Sequence, residues 1–177
     1  MLKMNKVLNY LARGIMITGV CLSAHAMAAD AKPAGGEGQI TIDVPVTLKE
    51  VKVVFNMDHI ALAGDMPIGM NYMNLLNKKM KMDKTPGKII GIFHGPAAYM
   101  TLNDQAYNAN RKVTTGNPYK ALIEGLVASG VQIEECAVSM KGNGWTNKDL
   151  LPVVKVNSGA ISRLIQLTQE GYVQIQP

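Results

Sequence analysis

The regular alternation of apolar strands with helical patterns constrains the fold of this chain more than any other feature. From Val51 onward, short apolar runs are separated by segments of helical periodicity, which is typical of a parallel sheet covered by helices on both faces. Five runs have the length and β-branched content of strands: 51–57, 88–94, 131–136, 153–156 and 172–175. We therefore predict an α/β domain with five parallel strands.

Start and stop signals predict the helices between these strands. Asp65 is expected to cap a first helix that has Pro67 in its first turn and ends near Met82. Residues 103–116 are polar and indicate a surface excursion. The other helices are expected from Pro96 to about Leu102, from Asn117 to Gly130, over a short turn after Cys136 that Gly142 to Gly144 ends, and from a Ser158 cap to Glu170.

The first 28 residues have the pattern of a cleavable signal peptide. Lys3, Lys6 and Arg13 precede an apolar core over 14–24 and the small-x-small site Ala26-Met27-Ala28. The core is too short to span a bilayer, so we expect no stable membrane insertion after cleavage. The sequence therefore predicts an exported, periplasmic protein that loses Cys21 on maturation and keeps Cys136 as its one thiol.

Residues 29–50 are predicted to be a flexible tether followed by an edge strand or arm. Ala, Gly and Pro dominate its start, and alternating apolar residues around Pro45 follow, which either lie on the outside of the domain or reach a neighbouring subunit. Removing residues 1–28 takes away three of the 18 basic residues and none of the 13 acidic ones, which leaves a net charge of +2. Nucleic-acid binding is therefore not indicated.

Three chemically competent side chains lie at the ends of predicted strands. His59 follows the first strand, His94 ends the second and Cys136 ends the third. The carboxyl ends of parallel strands meet at one edge of the sheet, where α/β proteins bind ligands. If the three strands are neighbours, these side chains share a pocket. A helix N-terminus or an imidazolium beside Cys136 would lower the pKa of its thiol.

Other interpretations of these residues stay open. Cysteine is often a buried packing residue, and His94 in a His-Gly-Pro turn is equally suited to bond a backbone carbonyl. The Cys136, His94 and His59 side chains also suit a copper or zinc site, although the chain has no high-specificity metal motif. The third interpretation is a non-catalytic oligomeric module that binds a ligand or partner at the strand ends.

Two further sequence patterns bear on these alternatives. Met66, Met70 and Met73 have a spacing that suits packing of a helix into a core better than copper binding. Trp145 follows Gly142-Asn143-Gly144 and is expected either beside the cysteine or at a subunit contact. The chain has no GxSxG, GxGxxG or GxxxxGK[ST] motif, which disfavours acyl transfer and phosphate-loop chemistry.

Three segments carry a family resemblance: FHGPAAYMTLND, NPYKALIEGLVASGVQIEECAVSMKGNGW and DLLPVVKVNSGAISRLIQLTQEGYVQIQP. Together they resemble the DsrE/DsrF-like family of sulfur-relay proteins, in its exported branch, over residues 51–177. The resemblance implies a three-layer α/β/α, flavodoxin-like domain that assembles into trimers or hexamers. It also implies that the strand-end cysteine, here Cys136, carries a persulfide.

The resulting hypothesis is a sulfur-binding or sulfur-transfer protein. Cys136 would carry the sulfur, His94 would tune or orient the thiol, and His59 is a weaker candidate for the same pocket. Ser139 and Met140 at the following helix N-terminus, with Trp145 nearby, would receive an anionic sulfur species. Without a second cysteine to resolve the product, the sulfur must pass to another molecule, either a partner protein or a small inorganic species. No cofactor or metal is part of this hypothesis, and the sequence leaves open whether the protein turns over as an enzyme.

Overall fold

The computed structural model describes residues 40–177, and the predicted signal peptide, Cys21 and the predicted tether before residue 40 lie outside them. In chain order the elements are strands β1 (Val51–Met57), β2 (Leu62–Ala63) and β3 (Met66–Pro67), helix α1 (Ile68–Asp83), strand β4 (Gly87–Phe93), a 3-10 helix (Gly95–Thr101), helices α2 (Asp104–Arg111) and α3 (Lys120–Ala128), strand β5 (Gln132–Cys136), helix α4 (Ala137–Asn143), a second 3-10 helix (Asn147–Asp149), strand β6 (Lys155–Asn157), helix α5 (Ala160–Gln169) and strand β7 (Val173–Ile175).

The main sheet has five strands in the order β6-β5-β4-β1-β7, and every neighbouring pair is parallel. This confirms the predicted α/β fold with a five-stranded parallel sheet and helices. It also meets the condition on which the site hypothesis depends, because β1, β4 and β5 are adjacent. Their carboxyl ends therefore lie side by side at one edge of the sheet.

The two faces of the sheet are covered by different helices because successive strand residues point to opposite sides. Val53, Phe55 and Ile89 face the larger core cluster, to which α1 and α3 contribute. Val54, Ile90 and Ile92 face a smaller cluster, to which α5 contributes Ala160, Leu164 and Leu167. The domain is thus a helix-sheet-helix sandwich in which α5 covers the face that carries Cys136.

Helix α1 confirms the packing interpretation for two of the three methionines. Met70 and Met73 are fully buried in the larger cluster, whereas Met66 lies in β3 and is exposed. Burial of the first two follows from their helical spacing, which puts them on the face of α1 that meets the sheet. Gly91 of β4 makes room for Met73, since a Cβ there would lie 2.9 Å from the methionine sulfur.

The structure corrects several local predictions. Asp65 does not cap α1, because the chain first forms the β2–β3 hairpin and the helix begins after Pro67. The polar stretch 103–116 contains α2, whose first turn is capped by the Asn103 side chain. Gly159, and not Ser158, precedes α5 as its N-cap residue. These errors are local and leave the order of the sheet unaffected.

The segment before β1 forms no helix or strand between residues 40 and 50. Its alternating side chains are strongly exposed, from 61% for Val46 to 88% for Ile40. Chain contacts divide the molecule into units 1–43 and 44–177, and all the elements described here belong to the second. None of the helices within the described residues combines the length and apolarity needed to cross a membrane.

Candidate functional site at the carboxyl edge of the sheet

Cys136 lies at the junction of three elements. It is the last residue of β5, the residue before α4, and the partner of Asn157 at the end of β6. Its side chain packs in the smaller core cluster under α5, and the residue is only 4% exposed. The thiol therefore sits just beneath the surface of this chain, at the edge where α/β proteins place their chemistry.

Helix N-termini make the surroundings of the buried sulfur favourable for a negative charge. The Ala160 amide, in the first turn of α5, donates to Cys136 Sγ at 3.2 Å. Burial alone would raise the pKa of the thiol, but the polar hydrogens of Ser139, Ala160 and Val138 outweigh burial and lower it. The result is a larger thiolate fraction than an ordinary cysteine has at the same pH, and the thiolate is the nucleophilic form.

Ser139 connects the thiol to the turn that follows β4. The Gly95 amide donates to Ser139 Oγ at 3.0 Å, so the serine hydroxyl keeps its own proton for the Cys136 sulfur. Gly95 has a positive φ of 55°, a conformation that glycine adopts without the strain of a Cβ. The sharp turn at Gly95 thus helps to orient a donor at the sulfur.

His94 lies beside Cys136 in the backbone but bonds elsewhere through its ring. β4 and β5 pair Phe93 with Glu135, so the next residues along, His94 and Cys136, end the two strands together. The His94 Nε2 atom is 2.7 Å from Asn56 Oδ1 on β1. No hydrogen bond joins the imidazole to the thiol in the described part of the chain, and the predicted tuning role of His94 stays a prediction.

Asn56 fixes the tautomer of His94. The Asn56 Nδ2 group donates to Gln176 Oε1 at 2.6 Å, which turns Asn56 Oδ1 towards the imidazole. A carbonyl oxygen only accepts, so His94 Nε2 carries a proton. Burial lowers the pKa of His94, opposed in part by the charge of Asp58. The ring is therefore mostly neutral at pH 7, with a free lone pair on Nδ1 that is able to accept a proton.

His59 belongs to the outer end of the same polar network. Its Nδ1 atom is 2.6 Å from Asp58 Oδ1, and Gln176 Nε2 donates to the same oxygen at 2.6 Å. The hydrogen bond with His59 is the main cause that lowers the pKa of Asp58. His59 is exposed and, within residues 40–177, is connected to His94 only through Asp58, Gln176 and Asn56, so the predicted role in the Cys136 pocket gains no contact there to support it.

Met140 and Trp145 pack away from the cysteine face of the sheet. Met140 is buried in the larger cluster, on the side opposite to the cluster that holds Cys136, and Trp145 is half-buried against that larger cluster. The Trp145 amide donates to the Met140 carbonyl at 2.9 Å and so closes the end of α4. These contacts suit packing, and the predicted substrate-binding roles of both residues stay without a contact to the thiol.

Sequence reasoning missed the polar residues inside the buried strands. Asn56 in β1 and the pair Glu134 and Glu135 in β5 are buried at 7%, 3% and 0% exposure. Their signal was present in the sequence, because a polar residue in an otherwise apolar strand must find a partner on folding. Among residues 40–177, no group of three or more His, Cys, Asp and Glu side chains is arranged to hold a metal ion.

Glu134 anchors the beginning of α5 over β5. The Nε group of Arg163 donates to the two carboxylate oxygens of Glu134 at 3.2 and 3.1 Å. The Nη2 group of Arg163 donates to Glu134 Oε1 at 2.9 Å. Burial alone would raise the pKa of Glu134, but the hydrogen bonds from Arg163 and its other donors outweigh burial and lower it. The ion pair between Glu134 and Arg163 fixes α5 to β5 at a point one turn after Ala160. The Ala160 amide is the group that donates to the Cys136 thiol.

One family model and two solved structures are similar to this chain. The model of the DsrE/DsrF-like family matches residues 70–177. Among solved structures, the protein of unknown function MTH1491 from Methanobacterium thermoautotrophicum is similar, with 20% identity, a TM-score of 0.53, and coverage of 72% of this chain and 100% of that one. The ychN protein from E. coli matches with 16% identity, a TM-score of 0.49, and coverage of 71% and 100%. No curated protein matches.

Proposed function

The chain belongs to the DsrE/DsrF-like family, and from this membership and the setting of Cys136 we propose that it is a sulfur-transfer protein whose carrier is the Cys136 thiol. The observation that carries the proposal is the hydrogen bond from the Ala160 amide to Cys136 Sγ at 3.2 Å. A sulfur held at a helix N-terminus, with a lowered pKa, is prepared to react as a thiolate.

The reaction with a polysulfide balances without an external oxidant. The Cys136 thiolate attacks a terminal sulfur of the polysulfide, and a new sulfur-sulfur bond forms at the cysteine. The old bond next to that sulfur breaks, and the shortened polysulfide leaves with the bonding electron pair. Cys136 then carries a persulfide anion whose charge is on the outer sulfur, within reach of the donors around the site.

A small anionic donor suits the site better than a bulky one. Cys136 is 4% exposed in this chain, so a protein donor would need the edge of the sheet to open. Asn157, the sheet partner of Cys136, lines a cavity of about 350 Å³ together with Lys155 and the Glu134–Arg163 ion pair, so among the described residues Lys155 supplies its unpaired positive charge. We include polysulfide and thiosulfate among the donors, and a partner protein or another small sulfur species as the acceptor. With thiosulfate, the thiolate attacks the outer sulfur, the sulfur-sulfur bond of the donor breaks, and sulfite leaves with the bonding electron pair.

His94 supplies the base in this proposal. Its neutral ring has an unprotonated Nδ1, and its backbone lies next to Cys136 at the strand ends. We propose that this nitrogen takes the thiol proton before attack. The role is separable from that of the helix amides, because a His94→Gln variant keeps a donor for Asn56 and loses the base.

Export and assembly complete the proposal. The leader over residues 1–28 would deliver the protein to the periplasm, and the family resemblance favours a trimer or hexamer. Cell fractionation of the full chain with N-terminal sequencing of the mature protein tests the first point, and native mass spectrometry tests the second. A mature protein that begins at Met1, or a monomer at micromolar concentration, would contradict the respective part.

Intact mass after incubation with polysulfide tests the sulfur carrier. We expect a gain in multiples of one sulfur atom that dithiothreitol reverses and that is absent in Cys136→Ser. The parent and the variant both carry Cys21→Ser, so that Cys136 is the one thiol even in a chain that keeps residues 1–28. An unmodified wild-type mass would favour the non-catalytic module, and stoichiometric copper or zinc in protein purified without added metal would favour the metal site.

A further inference from the structure

The carboxyl group of Glu135 is fully buried on the far side of the sheet from the thiol. Neighbouring residues of a strand point to opposite faces, so Glu134 and Cys136 face α5 whereas Glu135 faces the larger core. Glu135 is 0% exposed. Arg163 neutralises Glu134, but no cation pairs with Glu135 anywhere in residues 40–177.

Thr101 is the side-chain partner of one oxygen of this carboxyl group. Thr101 Oγ1 lies 2.9 Å from the Ala98 carbonyl oxygen and 2.8 Å from Glu135 Oε2. A hydroxyl group has one proton, so Thr101 donates to only one of these two oxygens at a time. A neutral Glu135 with its proton on Oε2 satisfies both contacts, because the acid then donates to Thr101 Oγ1 and Thr101 donates to the Ala98 carbonyl.

The second carboxyl oxygen completes the arrangement. The Cys136 amide donates to Glu135 Oε1 at 3.0 Å, which suits the carbonyl oxygen of a neutral carboxylic acid. Every polar atom of the group is satisfied in this state, whereas an ionised Glu135 would take the Thr101 proton and leave the Ala98 carbonyl without it. Burial, the dominant cause, raises the pKa of Glu135 to about 9, although the hydrogen bonds from Thr101 and the Cys136 amide act in the opposite direction.

We propose that Glu135 is a positioning residue for the reactive thiol: as a buried neutral acid it ties the Cys136 amide to Thr101 of the 3-10 helix and keeps a negative charge away from the thiolate. The inference rests on the proposed function only in treating Cys136 as the reactive group. The 3-10 helix also contains Gly95, whose amide holds Ser139 at the sulfur. Glu135 thus links the two segments that place donors around the thiol.

Glu135→Gln and Glu135→Leu separate this role from simple packing. The amide of glutamine keeps a donor for Thr101 and an acceptor for the Cys136 amide, and it is uncharged. We expect the thiolate fraction of Glu135→Gln at pH 7, read from the ultraviolet absorbance of the thiolate in a Cys21→Ser background, to stay within about twofold of its parent. Glu135→Leu loses both bonds and with them the link to the segment that holds Ser139, and we expect the fraction to fall about tenfold, the effect of losing one hydrogen bond to the thiolate.

Two results would overturn the inference. A rise of tenfold or more in the thiolate fraction of Glu135→Gln would mean that the native group is ionised, because the substitution would then remove a neighbouring negative charge. A fraction in Glu135→Leu equal to that of Glu135→Gln would mean that the two hydrogen bonds do not position the thiol.

Infrared spectroscopy keeps the inference testable if Glu135→Leu does not fold. We expect a band of a protonated carboxyl group at pH 7 in the wild type that disappears in Glu135→Gln. Its absence from the wild type would overturn the proposal. The thiolate fraction and the infrared band are both measured without sulfur uptake. A protein that gains no mass from polysulfide would therefore fail the proposed function and still be able to confirm the role of Glu135. Sulfur uptake without the infrared band would have the opposite meaning.

Discussion

Replacing Arg163 by methionine tests how strongly the buried ion pair holds α5 over the site. Methionine keeps much of the apolar length of arginine, so the substitution mainly removes the guanidinium. Glu134 then keeps a carboxylate that is 4% exposed and has lost its cation and three hydrogen bonds of 2.9–3.2 Å. The expected result is a large loss of stability.

The contacts around Glu134 set the size of this loss. Removing one partner of a buried ion pair costs about 3–5 kcal/mol. Gln132 and Asn157 still donate to the carboxylate at 2.6 and 3.2 Å, and the side chain of Arg163 is itself 21% exposed. We therefore expect the free energy of unfolding to fall by the lower end of this range, about 3 kcal/mol. For a urea m-value of about 2 kcal/mol per M, this loss lowers the unfolding midpoint by roughly 1.5 M.

Urea unfolding followed by circular dichroism measures the effect, with Lys79→Met as the matched control. The Lys79–Asp83 pair has a similar distance of 2.6 Å, but both side chains are well exposed, at 45% and 38%. Pairs of this kind are worth about 0.5 kcal/mol. If Arg163→Met lowers the midpoint no more than Lys79→Met does, burial does not strengthen the Glu134 pair and the reasoning is wrong.

The same pair has a defined pH dependence. The folded-state pKa of Glu134 is lowered, so its contribution is present above the unfolded value of 4.5 and is lost as the pH falls through the folded value. The stability difference between the wild type and Arg163→Met should therefore shrink below pH 4.5. The double variant Glu134→Gln/Arg163→Met should recover part of the loss at pH 7, because no buried charge is left unpaired.

Three further substitutions test other parts of the structure. Ser139→Ala removes a donor to the thiolate and should lower the thiolate fraction at pH 7 by up to about tenfold, measured by alkylation against pH, whereas the exposed Ser158→Ala should have no effect. Gly87→Ala should cost at least about 2 kcal/mol in urea unfolding, since φ is 144° and a Cβ would lie 1.9 Å from the Val51 carbonyl oxygen; an unchanged midpoint would refute the clash. His94→Gln should reduce the loss of stability as the pH falls below 6.5, because burial lowers the folded-state pKa of His94 and protons then favour the unfolded chain; equal losses in both proteins would refute this.

The strand pattern made the class of fold and the edge of the site predictable. Apolar runs such as 51–57 and 131–136 had the length and composition of buried parallel strands, and the structure has β1 and β5 there. Because strand direction is common to the whole sheet, placing Cys136 and His94 at strand ends was enough to put them on the same edge. Periodicity alone carries this information.

Local signals were less informative where long-range contacts compete with them. Asp65 followed by Pro67 has the pattern of a helix start, but residues 62–67 gain more by pairing as a hairpin before α1. The segment 103–116 looked like a loop because its residues are polar, yet the Asn103 cap and the burial of Tyr107 make part of it a helix. Both outcomes depend on neighbours that are distant in the sequence.

By itself, the sequence determined that this chain forms a parallel α/β sheet and that one cysteine ends its third long strand, because both follow from short-range patterns of apolar and polar residues. Only the tertiary structure decided what surrounds that sulfur. The amide of Ala160 comes from 24 positions further along the chain, and the carboxyl group of Glu135 meets its partner Thr101 from 34 positions before it. Electrostatic environment is a property of groups assembled in space, and spacing along a sequence does not encode it.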